Sequence, residues 1–173
     1  MIKKLYAEIE KINDAGIKDF TRKVVDTAPV NSWKMPSSRD HHMKDECGEW
    51  GNLIHTLRVV RVCDIFADIK ALNQEDRDIL RSAAILHDSC KHGVNAEAVY
   101  IYREHPRLVD ILVKKSGANC DQRNKIMYCV NAHMGRWGNV PCDWIEDNEI
   151  YLSFMLHAAD CIEARLDTLI EPC

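Results

Sequence analysis

The adjacent pair His87-Asp88 is the part of the sequence best suited to chemistry, because it ends the apolar run Ala83-Ala84-Ile85-Leu86 and is soon followed by Lys91. Further imidazoles and carboxylates occur where helix or helix-end positions are predicted: His55, His105, His133 and Asp160. Divalent metals in hydrolytic sites are held by neutral imidazoles and carboxylates, with a position left open for water. The inventory therefore suffices for one or two metal ions.

Neighbouring side chains in a regular helix point about 100° apart, so His87 and Asp88 need a helix end to bind one ion together. At such an end the aspartate can also bridge two ions. Asp160 lies among small residues, Ala158-Ala159, where a buried carboxylate needs a cation or hydrogen-bond donors. A lone histidine on an apolar face is usually a core residue, but this combination on separate helices favours a metal site.

Apolar residues recur with helical spacing almost throughout, and no strand alternation appears. Asn73 can cap the helix of the His-Asp pair, with Asp76 in its first turn, and Asp121 can cap a later helix. Residues 27–51 lack periodic apolar positions and are predicted to form a long ordered loop, and residues 135–141 a second loop. The predicted helices are residues 2–12, 15–26, 52–69, 74–89, 95–103, 105–115, 122–133 and 147–170. This pattern predicts a single all-α domain.

Composition excludes several classes of protein. At 173 residues the chain suits one domain, and its net charge of −4 gives no global reason to expect nucleic-acid binding. Its apolar runs are too short to span a membrane, and charge comes too early for a secretory leader. The eight cysteines include no C-x-x-C pair, which favours reduced thiols and a cytoplasmic protein.

Three segments carry a family resemblance. In their order along the chain, these segments resemble the HD superfamily of metal-dependent phosphohydrolases. They are Gly51-Asn52-Leu53-Ile54-His55-Thr56-Leu57, Leu86-His87-Asp88-Ser89-Cys90-Lys91, and the late Ala159-Asp160 with Ala164-Arg165. The resemblance runs from about residue 41 to 168. It implies a single HD-domain helical bundle over residues 1–173, in which residues 1–50 form N-terminal helices and the ordered loop that leads into the metal-binding core.

The resemblance also implies a ligand set. One metal would take His55, His87, Asp88 and Asp160. The histidines at 105 and 133 match the two extra ligands of the binuclear subgroup, in which Asp88 bridges both ions. The alternatives are a helix-start residue beside a proline for His105 and a helix-end cation for His133. The implied cofactor is one or two divalent ions: Mn, Fe, Co, Ni, Zn or Mg.

Within the superfamily the chain resembles the HD domain of bacterial 3′-to-5′ exoribonucleases. The shared features are a His42…Gly48…Gly51…His55-Thr56 approach and the terminal His157-Ala158-Ala159-Asp160. No nucleic-acid-binding module is recognisable, so processive RNA degradation is not expected. The chain also lacks the G-Y-P signature of cyclic-dinucleotide phosphodiesterases. At roughly that position it has Trp137-Gly138-Asn139-Val140-Pro141.

The predicted function is hydrolysis of a phosphate ester of a nucleotide or short oligonucleotide by metal-activated water. Asp88 would be catalytic as the shared ligand. Lys91 would present a point charge to phosphate, or is a solvated surface lysine. Arg58 would contact phosphate or pair with an acid.

The predicted substrate-binding residues also have simpler interpretations. Arg136 and Trp137 would clamp a phosphate and stack on a base, or are a surface arginine and a packed tryptophan. His42 would line the site or lie in a solvated loop. No membrane partner is expected, and a homo-oligomer is possible.

Two other classes of function remain open. HD-fold relatives such as the myo-inositol oxygenases use the same six-ligand pattern for di-iron oxygen chemistry on a small polar substrate. A non-catalytic nucleotide sensor is the third class, although an intact ligand set argues against it.

Overall fold

The architecture consists of helices, and no strand occurs in the residues that the structure describes. The structure, a computed structural model, describes residues 1–37, 43–97, 101, 103–139 and 148–164, and of residues 148–150 the backbone alone. The described helices are α1 (Lys3–Glu10), α2 (Ala15–Thr27), α3 (Val30–Lys34), α4 (Gly51–Ile69), α5 (Gln74–Leu86), α6 (His105–Ser116), α7 (Arg123–Ala132) and α8 (Asn148–Ala164). The prediction of an all-α fold is confirmed.

Helix α5 lies at the centre of the bundle and packs against α1, α2, α4, α7 and α8. Its C-terminal half is buried without interruption from Ser82 to Leu86. Side chains such as Ile79 and Ile85 are fully buried, and each contributes about 1.5–3 kcal/mol through its removal from water. Because α5 enters the core at this end, the His87-Asp88 pair that follows it is held inside the protein.

Local signals account for several helix boundaries. Asn73 caps α5 as predicted, since its side-chain oxygen accepts a hydrogen bond from the Asp76 backbone N–H at 2.9 Å. Asp14 caps α2 in the same way, through the Ile17 N–H at 2.8 Å. The prediction that Asp121 caps a helix is wrong: α7 begins at Arg123, and no side chain caps it.

The segment 27–51 is not simply a loop, since it contains α3 and a 3₁₀ turn at Lys44–Glu46. Apolar periodicity does not reveal an element as short as α3, whose buried Trp33 and Ser32 are fixed by tertiary contacts. Ser32 Oγ donates to the Ser89 carbonyl at 2.8 Å, and the Asn52 amide donates to the carbonyls of Ser32 and Asp88, both at 3.1 Å. These hydrogen bonds fasten the segment, directly and through Asn52, to the backbone of Asp88 and of Ser89 after it.

The prediction of a helix at residues 95–103 is wrong for residues 95–97, 101 and 103, which are the part of this range that the structure describes. Residues 95 and 96 form a turn, and Gly93 and Ala96 have left-handed backbone with φ of 84° and 53°. The Ile101 N–H donates to the Lys91 carbonyl at 3.0 Å, so the chain folds back instead of continuing as a helix. Residues 98–100 and 102 lie outside the described residues, as do residues 165–170 of the predicted last helix. No described helix has the length and apolarity that a membrane span requires.

Candidate metal centre

Five helices bring the six predicted ligands to one place in the core. His55 lies in the second turn of α4, and His87 and Asp88 follow α5 directly. The remaining three come from the later helices: His105 is the first residue of α6, His133 follows α7, and Asp160 lies in α8. The four histidines and Asp88 are at most 1 % exposed, whereas the Asp160 side chain is 21 % exposed. The sequence therefore identified side chains that the fold assembles.

The ligand atoms form two groups. In the first group, which consists of His55, His87 and Asp160, all ligand atoms lie within 4.8 Å of one another. The Nε2 atoms of His55 and His87 are 3.3 Å apart, and His55 Nε2 lies 3.1 Å from Asp160 Oδ1.

The second group consists of Asp88, His105 and His133, whose ligand atoms also lie within 4.8 Å of one another. The Nε2 atoms of its two histidines are 3.2 Å apart, and Asp88 Oδ1 lies 3.0 Å from His105 Nε2 and 3.8 Å from His133 Nε2. The other oxygen of Asp88, Oδ2, lies 3.4 Å from His55 Nε2 and 3.6 Å from His87 Nε2. Each oxygen of one carboxylate thus faces one group, which is the arrangement a bridging ligand requires.

The orientation of the imidazoles shows that these groups fit divalent metal ions. The Nδ1 atoms of His87, His105 and His133 lie 2.7, 3.0 and 2.7 Å from backbone carbonyl oxygens of Ala84, Ile101 and Val130. A carbonyl oxygen only accepts, so each Nδ1 must donate its hydrogen, and in a neutral ring Nε2 is then left with a lone pair. The Nε2 lone pairs of His105 and His133, which face each other at 3.2 Å, repel unless a cation stands between them, and this is the donor chemistry of a metal site.

Burial and charge act differently on the individual ligands. Burial lowers the pKa of His87, and it lowers the pKa of His133 to about 3, which favours neutral imidazoles. Burial raises the pKa of Asp88, but Lys91 and His87 outweigh it and hold that pKa well below its ordinary value. Asp88 is therefore ionised and available as a ligand.

His55 differs from the other histidines. Burial lowers its pKa, but the nearby carboxylates of Asp160, Glu163 and Glu46 outweigh burial and raise that pKa well above its ordinary value. His55 Nδ1 lies 2.5 Å from Glu163 Oε2 and 3.6 Å from Glu46 Oε2, and both glutamates are fully buried. Sequence reasoning did not identify either glutamate. Glu163 stands one turn after Asp160, a spacing that could have drawn attention to it, whereas nothing in the sequence singles out Glu46.

Lys91 is a buried lysine of the site and not a solvated one. It is 5 % exposed, and its Nζ donates to Asp88 Oδ2 at 2.5 Å and to Ser37 Oγ at 3.1 Å. An ammonium group so close to the shared carboxylate stands where it can meet an anion bound at the ligands. That it acts on a substrate stays a prediction.

Arg58 was predicted to contact phosphate or pair with an acid, and the structure favours the acid. Its guanidinium donates to Asp45 at 3.0 and 2.7 Å and also to Glu46. Because Glu46 faces the Nδ1 atom of His55, Arg58 is tied to the side of that ring away from the ligand groups. These contacts favour the pairing with acids, and a catalytic role for Arg58 stays a prediction.

Arg136 and Trp137 lie in the short 3₁₀ turn that follows His133. The guanidinium of Arg136 stacks over the Trp137 ring at 4.5 Å, and Trp137 in turn packs beside His157, whose ring is 5.8 Å away. His157 Nδ1 donates to the His133 carbonyl at 2.6 Å, which ties this turn to α8. Arg136 and Trp137 are therefore close to the second group, and their contact with substrate stays a prediction. His42 lies outside the described residues.

Comparison with known proteins supplies the family. The model of the HD domain family matches residues 52–165, which is more than half of the chain. No curated protein and no solved structure matches the sequence significantly. The matched range includes all six predicted ligands, and HD domains are generally metal-dependent hydrolases. The chain therefore belongs to the HD domain family.

Proposed function

We propose that this protein hydrolyses a phosphate ester of a nucleotide or short oligonucleotide in a reaction that depends on two divalent metal ions. The observation that carries the proposal is the pair of ligand groups that share Asp88, one oxygen of which faces each group. Divalent ions bound there would supply an activated water for attack on phosphorus and would neutralise developing charge on the phosphate oxygens.

The protein's own groups hold these positions before substrate arrives. Backbone carbonyls fix three imidazoles with Nε2 directed into the site, so those rings need no reorientation when metal binds. A low pKa keeps Asp88 ionised at neutral pH. This preorganisation lowers the cost of assembling the site and keeps ligand geometry constant during the reaction.

The Lys91 ammonium would bind a non-bridging phosphate oxygen, for which a compact positive charge is suited. Its present partner, Asp88 Oδ2, would be shared with metal in the loaded protein, which leaves the lysine hydrogens available for substrate. Arg136 and Trp137 would bind the rest of the substrate at the edge of the second group, the arginine by charge and the indole by stacking on a base. His42 is proposed to line the same site.

A di-iron oxygenase is the second candidate, because four imidazoles and two carboxylates are also a ligand set for iron. The same groups would then bind a small polar substrate and oxygen. Hydrolysis and oxygen consumption are separable in one protein preparation, so the two candidates make opposite predictions.

The test is a screen of Mn-, Fe- and Co-loaded protein against nucleoside mono- and triphosphates, cyclic nucleotides and short RNA and DNA oligomers. Release of phosphate or nucleotide supports the proposal and identifies the substrate class, including whether the predicted likeness to exoribonuclease HD domains holds. Oxygen uptake by iron-loaded protein with no hydrolysis would favour the oxygenase. Nucleotide binding that persists without metal, and without turnover, would favour a sensor.

Two variants separate the ligand groups in this screen. Asp160→Asn removes a charge from the first group, and His105→Gln removes a donor from the second. We expect each to lower metal stoichiometry and to abolish hydrolysis. Asp68→Asn is the matched control, since its side chain is 73 % exposed near the far end of α4 from His55. Full activity in either ligand variant would contradict the assignment.

A further inference from the structure

His55 is held differently from the other three ligand histidines. They donate Nδ1–H to backbone carbonyls, whereas His55 Nδ1 faces a side-chain carboxylate, Glu163 Oε2, at 2.5 Å. We propose that Glu163 is a positioning residue that fixes the orientation and tautomer of His55, and thereby sets the metal affinity of the first group. The proposal rests on the metal site of the proposed function and adds a residue to it.

The geometry of α8 carries the first step of the argument. Asp160 and Glu163 are three residues apart, so they project from one turn of this helix. Asp160 Oδ1 lies 3.1 Å from Nε2 of His55, and Glu163 Oε2 lies 2.5 Å from Nδ1. One helical turn thus holds the imidazole at both nitrogens. A rotated ring would lose both contacts, since the spacing of the two carboxylates is fixed by the helix.

A second buried carboxylate, Glu46, approaches the same nitrogen but is committed elsewhere. Its Oε2 lies 3.6 Å from His55 Nδ1, beyond a good hydrogen bond, and its other oxygen accepts from Arg58. Arg58 is itself held by Asp45 at 2.7 Å. Glu163 is therefore the nearer acceptor for His55 Nδ1, whereas Glu46 is held by Arg58.

Arg58 also makes this arrangement possible. Two fully buried carboxylates beside one imidazole need positive charge nearby, because an uncompensated buried charge is costly. The guanidinium contacts Glu46 and lies 3.7 Å from Glu163 Oε1. The sequence-predicted Arg58 thus serves the site indirectly, as the counter-ion of the residues that orient His55.

A carboxylate that accepts the Nδ1 hydrogen does more than a carbonyl. In the neutral ring it selects the tautomer with hydrogen on Nδ1, so that the Nε2 lone pair faces the first group, and it increases the strength of Nε2 as a metal ligand. Loss of such a partner costs about 10- to 100-fold in metal affinity. The effect should be confined to the first group, because the second group takes its orientation from the main chain.

The experiment compares Glu163→Gln with Glu46→Gln, a matched control that removes an equally buried charge beside Arg58. Mn²⁺ affinity is measured by titration without substrate, and the tautomer of His55 by ¹⁵N NMR of Zn²⁺-loaded protein. We expect Glu163→Gln to weaken binding at the first group about 10- to 100-fold and to shift the His55 nitrogen signals, with a smaller loss in Glu46→Gln. Glu163→Asp, which retains the charge, should recover part of the affinity.

Equal affinity in wild type and Glu163→Gln, or equal losses in both glutamine variants, would overturn the proposal. Should Glu163→Gln not fold, Glu163→Asp decides: unchanged affinity and an unchanged tautomer would also overturn it. Because both readouts are taken without substrate, a protein that binds Mn²⁺ and hydrolyses nothing refutes the proposed function and still decides the role of Glu163.

Discussion

Replacement of Asp88 by asparagine should destabilise the metal-free protein strongly, in addition to removing the shared ligand. Asp88 is 1 % exposed and Lys91 5 %, and the Nζ–Oδ2 distance is 2.5 Å. Two unit charges at this distance attract by about 7 kcal/mol at an effective dielectric constant of about 20, before desolvation is subtracted. Removal of one partner from a buried pair costs about 3–5 kcal/mol, because the other charge stays buried without compensation. We expect a loss of this size in the free energy of unfolding.

The assay is urea unfolding of chelator-treated wild type, Asp88→Asn, Lys91→Met and the double variant. If the buried ammonium causes the loss, the double variant should be more stable than Asp88→Asn alone, and the cycle should give a coupling energy of at least about 1 kcal/mol. Additive losses, or a loss of less than about 1 kcal/mol in Asp88→Asn, would refute the reasoning. Such a result would mean that Lys91 finds water or another partner when the carboxylate charge is removed.

Two further predictions follow from the packing around the site. A Cβ at Gly51 would lie 1.9 Å from the Glu46 carbonyl oxygen, so Gly51→Ala should displace the 3₁₀ turn, lower the free energy of unfolding by about 1–3 kcal/mol and weaken Mn²⁺ binding. The control is Gly48→Ala, because a Cβ there meets nothing within 4 Å. Equal urea midpoints for the two variants would contradict the prediction. Burial raises the pKa of the Cys63 thiol well above its ordinary 9.0, so this thiol ionises at lower pH in the unfolded chain than in the folded protein. The stability that the neutral, buried thiol contributes is therefore complete below about pH 9 and is lost as pH rises above that value. Wild type should therefore lose more unfolding free energy than Cys63→Ala between about pH 8 and pH 10.5, and identical losses would count against this explanation.

The fold class and the ligand types could be predicted because both depend on local sequence. Helical spacing of apolar residues identified α4 to within one residue and the start of α5, which ends three residues earlier than predicted, and the Asn73 cap is a short-range hydrogen bond. The prediction of a helix at 95–103 was wrong because left-handed backbone at Gly93 and Ala96 turns the chain, so that the Ile101 N–H donates to the Lys91 carbonyl. The short α3 escaped notice because burial of Trp33, and not periodicity, stabilises it.

Within the site, sequence alone determined which side chains are able to bind metal, since imidazoles and carboxylates are ligands wherever they occur. Only the tertiary structure decided how they divide into two groups and that the two oxygens of Asp88 face different groups. It also decided the partners. Arg58 turns to Asp45 and Glu46, Lys91 is buried, and Glu163 meets His55 although 108 positions separate them. Such pairings depend on distances between helices far apart in the chain, and a buried charge selects its partner from whatever the fold brings near.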